Sequence, residues 1–242
     1  MDNYKYQIKA VTVDAVIFSI VEKSLNCLVI KRNLEPYKNY WALPGGFLKR
    51  NESTDSAFQR ELLEESGLGV KGLNYWQEFK TYSDPKRDPR NNKDYQIISI
   101  AYVGITNEEI IKTHDIQIKG GSDASEATMM PIKDIMGKSK KEIAFDHLKI
   151  IEDGKSILSQ KIEKEPLALK FLPTEFTLTE LRNVYEELWE KKLHASNFER
   201  KVGGMENFIT NLNKTKLTGS HRPAQLYKSG KARSIFMVNK GQ

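Results

Sequence analysis

The sequence has little cysteine and no long apolar run. Cys27 is the one cysteine among 242 residues, and it lies in an apolar stretch at residues 26–30. The apolar neighbours of Cys27 predict that it is a buried strand residue. A single thiol cannot form a disulfide framework, so we expect a reducing compartment. Residues 1–10 carry no apolar signal region, and no stretch approaches the roughly 18 apolar residues of a membrane span. The sequence therefore predicts a soluble, cytoplasmic protein with no membrane partner.

Acidic residues are scarce in the last part of the chain. Residues 200–242 contain nine lysines and arginines but one glutamate, which gives a net charge of +8. The whole chain carries +6, so residues 1–199 carry −2. A basic end on a mildly acidic body indicates either a nucleic-acid contact or a solubilising tail.

Three glutamates lie close together within residues 46–68, which read GFLKRNESTDSAFQRELLEESGL. At 3.6 residues per turn, Glu61, Glu64 and Glu65 share one side of a helix, where their charges repel. A hard divalent cation such as Mg²⁺ or Mn²⁺ would turn that repulsion into coordination, because such ions prefer oxygen ligands. An acidic helix face exposed to solvent would contain the same three residues.

The residues around the three glutamates predict where this helix begins and ends. Residues 51–54 supply helix N-cap candidates, and Gly67 is suited to a left-handed C-terminal position. Phe58 and Leu62 are four residues apart, so both would face the core and leave the glutamates facing a cleft.

The segment before the helix predicts a tight turn. Pro44, Gly45 and Gly46 leave the backbone free of bulky side chains, so that carbonyl groups can approach a metal or a phosphate. Arg60 is positioned to pair with Glu52 and hold this loop against the helix; a solvated surface arginine is the alternative.

The remaining patterns predict an α+β protein in two parts. Strands are expected at residues 11–18, 26–31, 41–43, 73–79, 95–105 and 127–132, and a helix at 145–162. We expect these elements to form an α+β sandwich. The break at Glu165 and Pro166 gives two domains, at residues 1–164 and 165–242.

The second part predicts a helix-turn-helix with a wing. Two capping boxes, at residues 177–180 and 196–199, would each begin a helix. A strand is expected at 208–217, a turn at 218–220 and a returning strand at 224–228, which together form a basic β-wing.

Both halves resemble known families. The spacing G-x5-E-x7-R-E-U-x-E-E-x-G-U, where U is a bulky aliphatic residue, is matched in full from Gly46 to Leu68 and identifies the first half as similar to Nudix hydrolases. The segment DPKRDPR at residues 84–90 resembles a segment of the Nudix hydrolases that act on ADP-ribose. The second half, from the LPTEFTL sequence at 172–178 to RPAQLY at 222–227, looks like the winged helix of Nudix-related transcriptional regulators of the NrtR type. The resemblance covers nearly the whole chain and implies a Nudix α/β/α sandwich followed by a winged helix-turn-helix domain.

The resemblance implies roles for residues in the first half. The Gly45 carbonyl and the carboxylates of Glu61 and Glu65 would bind Mg²⁺ (or Mn²⁺), with Glu64 as a further ligand or the base. Glu126 occupies a loop expected to supply another carboxylate, although an exposed loop acid is an equal alternative. Arginines would contact the diphosphate or ribose of ADP-ribose or a related nucleoside diphosphate derivative, and the candidates are Arg87, Arg90 and, more weakly, Arg32. Hydrolysis of ADP-ribose would yield AMP and ribose 5-phosphate.

The resemblance also implies roles in binding double-stranded DNA. The candidates for the major groove are Ser196, Asn197, Arg200 and Lys201, and those for phosphates or the minor groove are Lys214, Lys216, His221 and Arg222. Such regulators usually act as homodimers. Two alternatives stay open: a repressor that senses ADP-ribose or a pentose without cutting it, and a pyrophosphatase whose second domain binds no DNA.

Overall fold

The computed structural model describes residues 8–91, 95–113, 124–137, 142–217 and 223–235. Its strands are β1 (Ile8–Val21), β2 (Ser24–Arg32), β3 (Trp41–Ala42), β4 (Gly45–Phe47), β5 (Tyr75–Tyr82), β6 (Tyr95–Ile105), β7 (Ala124–Pro131), β8 (Phe176–Thr177), β9 (Ile209–Lys216) and β10 (Ala224–Ser229). Its helices are α1 (Thr54–Ser66), α2 (Glu108–Thr113), α3 (Ile132–Gly137), α4 (His147–Lys161), α5 (Leu178–Trp189) and α6 (Ala195–Gly203), with short 3-10 helices at Val70–Gly72 and Pro166–Phe171. No described helix has the length and apolarity needed to span a membrane.

Strands β1 to β7 form one mixed sheet with helices on both faces. The order is β3-β2-β1-β6-β5, with β4 paired to β1 and β7 paired to β2, and β1 runs parallel to β6. Alternate residues of β1 face opposite sides. Val13 and Ile17 pack with Phe58 of α1, whereas Val16 and Phe18 pack in the cluster that contains α4. The predicted α/β/α sandwich and α+β class are therefore confirmed.

The hairpin between β1 and β2 is closed by a tight turn. Glu22 and Lys23 form the two-residue connection with φ values of 48° and 67°, the left-handed geometry that two-residue hairpins favour. Cys27 lies in β2 and is fully buried, and burial raises the pKa of its thiol. The predicted strand at 95–105 coincides with β6.

The second part has the element order of a winged helix. The 3-10 helix Pro166–Phe171 is followed by β8, α5, α6, β9 and β10, and the strands form a sheet in the order β8-β10-β9. The capping box at Thr177 and Glu180 is present as predicted. The second predicted box is wrong: α6 begins at Ala195 after His194, without a side-chain cap, so Ser196 lies within its first turn. The predicted turn at 218–220 falls outside the described residues.

One continuous apolar core joins the two parts. It contains Val16 and Phe18 of β1, Leu158 of α4, and Phe171 and Tyr185 from beyond the predicted break.

Polar contacts cross the same boundary: Leu25 N–H to Glu187 Oε2 at 2.9 Å, Asn183 Nδ2 to the Lys23 carbonyl at 2.8 Å, and Trp189 Nε1 to the Ser159 carbonyl at 3.1 Å. The chain after Pro166 is not a free linker either, because it forms a 3-10 helix whose buried residues are Leu167, Ala168, Leu169 and Phe171.

Candidate functional site

Helix α1 presents the glutamates of the matched motif. Ser53 is its N-cap and accepts a hydrogen bond from the Ser56 N–H at 3.2 Å. Gly67 ends the helix with φ of 74°, as predicted, a conformation that costs glycine least. Phe58 and Leu62 are fully buried against the sheet. The helix is thereby fixed with its acidic side towards the loop that precedes it.

Arg60 binds the preceding loop to α1. Its Nε and Nη2 donate to the two carboxylate oxygens of Glu52 at 2.7 and 2.8 Å, and Nη2 also donates to the Phe47 carbonyl at 3.0 Å. These hydrogen bonds lower the pKa of the Glu52 carboxyl to about 2. The predicted pair is confirmed, and its bidentate geometry makes it a strong one.

The three glutamates of α1 occupy different environments. Glu61 accepts a hydrogen bond from Arg60 Nη1 at 2.5 Å, and partial burial raises the pKa of its carboxyl. Glu64 has a 53% exposed side chain and lies 3.2 Å from the same Arg60 nitrogen. Glu65 is buried and accepts from the Gly45 N–H at 2.8 Å. The three carboxylates therefore differ in exposure: Glu65 is buried, Glu61 is partly buried and Glu64 is exposed to solvent.

The three glutamates of α1 and the Gly45 carbonyl offer the oxygen donors that a divalent cation requires. Carboxylate and carbonyl oxygens are what Mg²⁺ and Mn²⁺ prefer, and a Cβ on Gly46 would lie 2.4 Å from Glu61 Oε1, so only glycine allows that carboxylate its place. Across the described ranges, no group of three or more His, Cys, Asp and Glu residues is arranged to hold a metal ion. Arg60 pairs with both Glu61 and Glu64, and Lys49 Nζ also lies 3.6 Å from Glu64 Oε1.

A cavity of about 150 Å³ lies beside Glu65. It brings together the glycine turn, all three predicted arginines and two aromatic rings, and its lining includes Gly45, Gly46, Glu65, Arg32, Arg87, Arg90, Phe47, Phe145, Asp14 and His147. Three arginines face four acidic residues in this lining, which also includes Glu35 and Asp88. Guanidinium groups beside aromatic rings suit an anionic ligand that also has a flat apolar part.

A buried charge network forms the floor of this cavity. Arg87 donates through Nε and Nη2 to Asp146 at 3.1 and 2.8 Å, and its Nη2 lies 3.4 Å from Asp14 Oδ2. Asp14 also accepts from Ser99 and lies 3.4 Å from His147 Nε2. Arg87 and Asp14 have side chains only 3% and 7% exposed. Asp14 therefore depends on Arg87 for charge compensation, whereas Arg87 is also paired with Asp146.

His147 connects this network to the loop before the motif. Its Nδ1 accepts the Leu43 N–H at 2.8 Å, and burial lowers the pKa of its imidazole. Sequence reasoning missed Asp14 and His147. The signal for Asp14 was a lone acid within an apolar strand, which is costly unless it is paired.

Arg90 and Arg32 lie against aromatic rings. Arg90 donates to Asp88 through Nε at 2.9 Å and Nη2 at 2.6 Å, and its guanidinium lies 5.2 Å from the Phe47 ring centre and 5.4 Å from that of Phe145. Arg32 lies 5.0 Å from the Phe145 ring centre. Cation–π contacts at these distances hold a guanidinium in a defined plane.

Glu126 does not lie in the predicted loop. It lies in β7, opposite Lys31 of β2, and its side chain is exposed. The expectation of a loop is wrong because the sheet pairing of β7 with β2 extends to Ala124. Glu126 is not among the residues that line the cavity.

Helix α6 presents the first group of predicted DNA-contacting residues. Phe198 and Val202 are buried, whereas Ser196, Asn197 and Arg200 are exposed. Arg200 Nη2 donates to Asn197 Oδ1 at 3.2 Å. Lys201 is partly buried.

The wing presents part of the second group. Lys214 and Lys216 are exposed on β9, and Lys214 Nζ lies 3.2 Å from Glu175 Oε1. His221 and Arg222 lie outside the described residues.

Comparison with known proteins matches both parts of the chain. The NUDIX domain family matches residues 9–154, and the NrtR DNA-binding winged helix domain family matches residues 168–229. The ADPR responsive transcriptional repressor NtrR of Acinetobacter baylyi is 30% identical over 226 residues, which are 92% of this chain and 83% of the repressor. An ADP-ribose pyrophosphatase of Methanocaldococcus jannaschii is 38% identical over 146 residues, 60% of this chain and 72% of that enzyme.

A solved structure has the same arrangement. Shewanella oneidensis NrtR, complexed with a 27mer DNA, superposes with a TM-score of 0.74 at 26% identity over 93% of this chain and 99% of that one. Its NUDIX domain, solved with ADP ribose, covers 65% of this chain and 94% of that domain at a TM-score of 0.54 and 26% identity. The chain therefore belongs to the Nudix family, and within it to the proteins that carry an NrtR-type winged helix.

Proposed function

We propose that this protein is an ADP-ribose-responsive transcriptional regulator of NAD metabolism that also hydrolyses ADP-ribose to AMP and ribose 5-phosphate. The observation that carries the proposal is the similarity to a repressor over both domains, in the same order and over 92% of the chain. The complete Nudix motif and the similarity to a pyrophosphatase support the hydrolytic part. Within this proposal, residues 1–164 form the ligand domain and residues 165–242 the DNA-binding domain.

The cavity beside Glu65 is the proposed site for ADP-ribose. Arg90 and Arg32 would grip the diphosphate or ribose oxygens, since each guanidinium is already held against Phe145. Arg87 lines the same cavity, but its Nε and Nη2 are engaged with Asp146 and Asp14. We therefore assign Arg87 to shaping the floor as well as to binding.

The acidic side of α1 is the proposed metal site. The Gly45 carbonyl with Glu61, Glu64 and Glu65 would hold Mg²⁺ or Mn²⁺, and the bound ion would activate a water molecule and offset charge on the phosphoryl oxygens. The Glu64 side chain is 53% exposed, so a water molecule can reach its carboxylate. Glu126, although outside the cavity lining, remains a proposed additional carboxylate.

The winged helix is the proposed DNA-binding unit. Ser196, Asn197, Arg200 and Lys201 would enter the major groove from α6. The residues proposed for phosphates or the minor groove are Lys214, Lys216, His221 and Arg222. A homodimer acting in the cytoplasm would match the two halves of a symmetric DNA site.

ADP-ribose is expected to change the affinity of the protein for DNA from its own promoter by about 5- to 150-fold, the range of a coupling free energy of about 1–3 kcal/mol. The measurement is a DNA titration with and without ADP-ribose, in EDTA so that the ligand is not consumed. AMP with ribose 5-phosphate is the control. Equal DNA affinity with and without saturating ADP-ribose would contradict the sensing proposal.

The contacts of Arg60 favour a second candidate, a regulator that binds ADP-ribose or a pentose without cutting it. Arg60 Nη1 engages both Glu61 and Glu64, and a guanidinium that stays there would compete with a cation for the same oxygens. A hydrolysis assay with Mg²⁺ separates the two candidates, because only a hydrolase releases AMP. A hydrolase that does not bind DNA would instead fail the promoter titration.

A further inference from the structure

The segment after β10 is fixed against the end of α6. Residues 230–235 cross the turn between α6 and β9. Three backbone hydrogen bonds hold them: Gly230 N–H to the Phe208 carbonyl at 2.8 Å, Ala232 N–H to the Asn207 carbonyl at 2.9 Å, and Ile235 N–H to the Lys164 carbonyl at 2.8 Å.

The side chains of this segment divide into buried and exposed sets. Ala232 and Ile235 pack against the apolar core, whereas Lys231 and Arg233 are exposed. A Cβ at Gly230 would lie 1.9 Å from the Asn207 carbonyl oxygen, so a glycine is required for this close approach. The two cations are therefore carried by an ordered backbone rather than by a loose tail.

Lys231 and Arg233 extend the charged face of α6. They line a shallow concavity of about 820 Å³ together with Arg200 and Lys201, and Glu206 is the acidic residue among its lining. Within the ranges that the structure describes, the side chains of Lys231 and Arg233 form no ion pair.

This surface continues from α6, because Arg200 also contacts Asn197 on the exposed side of that helix. Four cations against one carboxylate suit a polyanion. The phosphate backbone of DNA is the polyanion that the neighbouring helix would already approach.

We infer that Lys231 and Arg233 form a second phosphate-binding surface for double-stranded DNA, beside α6 and beyond the winged-helix match that ends at residue 229. The inference rests on the DNA binding proposed above. Contacts of this kind add affinity without reading sequence. Because the backbone is already ordered, binding costs only the freedom of the two side chains and none for ordering the segment.

The test is the double variant Lys231→Gln/Arg233→Gln, titrated with the promoter duplex and with a random-sequence duplex of equal length, from about 50 to 200 mM KCl. Both residues are exposed, so the fold is expected to be unaffected. We expect affinity for both duplexes to fall on the order of tenfold. The slope of log affinity against log salt should become shallower by about 2, one for each lost phosphate contact.

The control is Lys71→Gln/Lys133→Gln, which removes the same charge from exposed positions of the Nudix domain and is expected to leave the slope unchanged. An equal loss in this control, or a loss confined to the promoter duplex, would overturn the inference. The inference would also be overturned if the Lys231→Gln/Arg233→Gln variant bound DNA with wild-type affinity while Asn197→Ala lost promoter binding. That outcome would leave the proposed function intact. A wild-type protein that binds neither duplex would overturn both.

Discussion

Replacing Glu64 by glutamine is expected to slow the release of AMP from ADP-ribose by at least about 100-fold, the usual loss when a group that moves a proton in the transition state is removed. Glutamine keeps the shape of the side chain and its exposed position on α1, so the helix should be preserved. The measurement is the steady-state rate of AMP formation with Mg²⁺. Because Glu64 does not line the cavity, binding of ADP-ribose in EDTA should change little.

Glu152→Gln is the matched control for this variant. Glu152 is an exposed glutamate on α4, so the same loss of charge occurs on another helix, and the wild-type rate is expected. Equal rates in Glu64→Gln and the wild type would remove Glu64 from the reaction. A wild-type protein that releases no AMP would refute retained hydrolysis and support the non-catalytic sensor.

Replacing Arg87 by methionine is expected to lower the free energy of unfolding by about 3–5 kcal/mol. Methionine fills similar space, but Asp14 is left in the core without the guanidinium that compensates it, and an unpaired buried charge carries a cost of this size. The measurement is urea denaturation near neutral pH.

Lys80→Met is the comparison for that loss. Lys80 pairs with Asp153 at 2.7 Å, but its side chain is 46% exposed, and exposed pairs contribute about 0–1 kcal/mol. If Arg87→Met destabilises the protein no more than Lys80→Met does, the buried network does not hold the floor of the cavity. Partial recovery in Arg87→Met/Asp14→Asn would identify the unpaired carboxylate as the cause.

Features that depend on residues close in sequence could be predicted. The motif spacing gave α1, its end at Gly67 and the pairing of Arg60 with Glu52, because helix periodicity and capping act over a few residues. The capping box at Thr177 was predictable for the same reason.

Features that depend on distant residues could not be predicted. The cavity floor joins Asp14 of β1, Arg87 before β6 and His147 of α4, which meet only when the sheet assembles. Glu126 was expected in a loop because its pairing with β2 has no local signal. The start of α6 was misplaced because the capping pattern put the N-cap at Ser196, whereas the N-cap is His194, two residues earlier.

The apolar core that runs from β1 through α4 to Tyr185 has a consequence for protein engineering. A winged helix from another protein of this family could not simply be joined after residue 164, because Phe171 and Tyr185 pack in the same core as residues of β1 and α4. A working chimera would also need the matching surface of α4 and of the β1–β2 hairpin, including the Lys23 carbonyl that receives Asn183. Exchange of specificity between such regulators is therefore expected to proceed by changing exposed residues of α6, with the buried boundary left as it is.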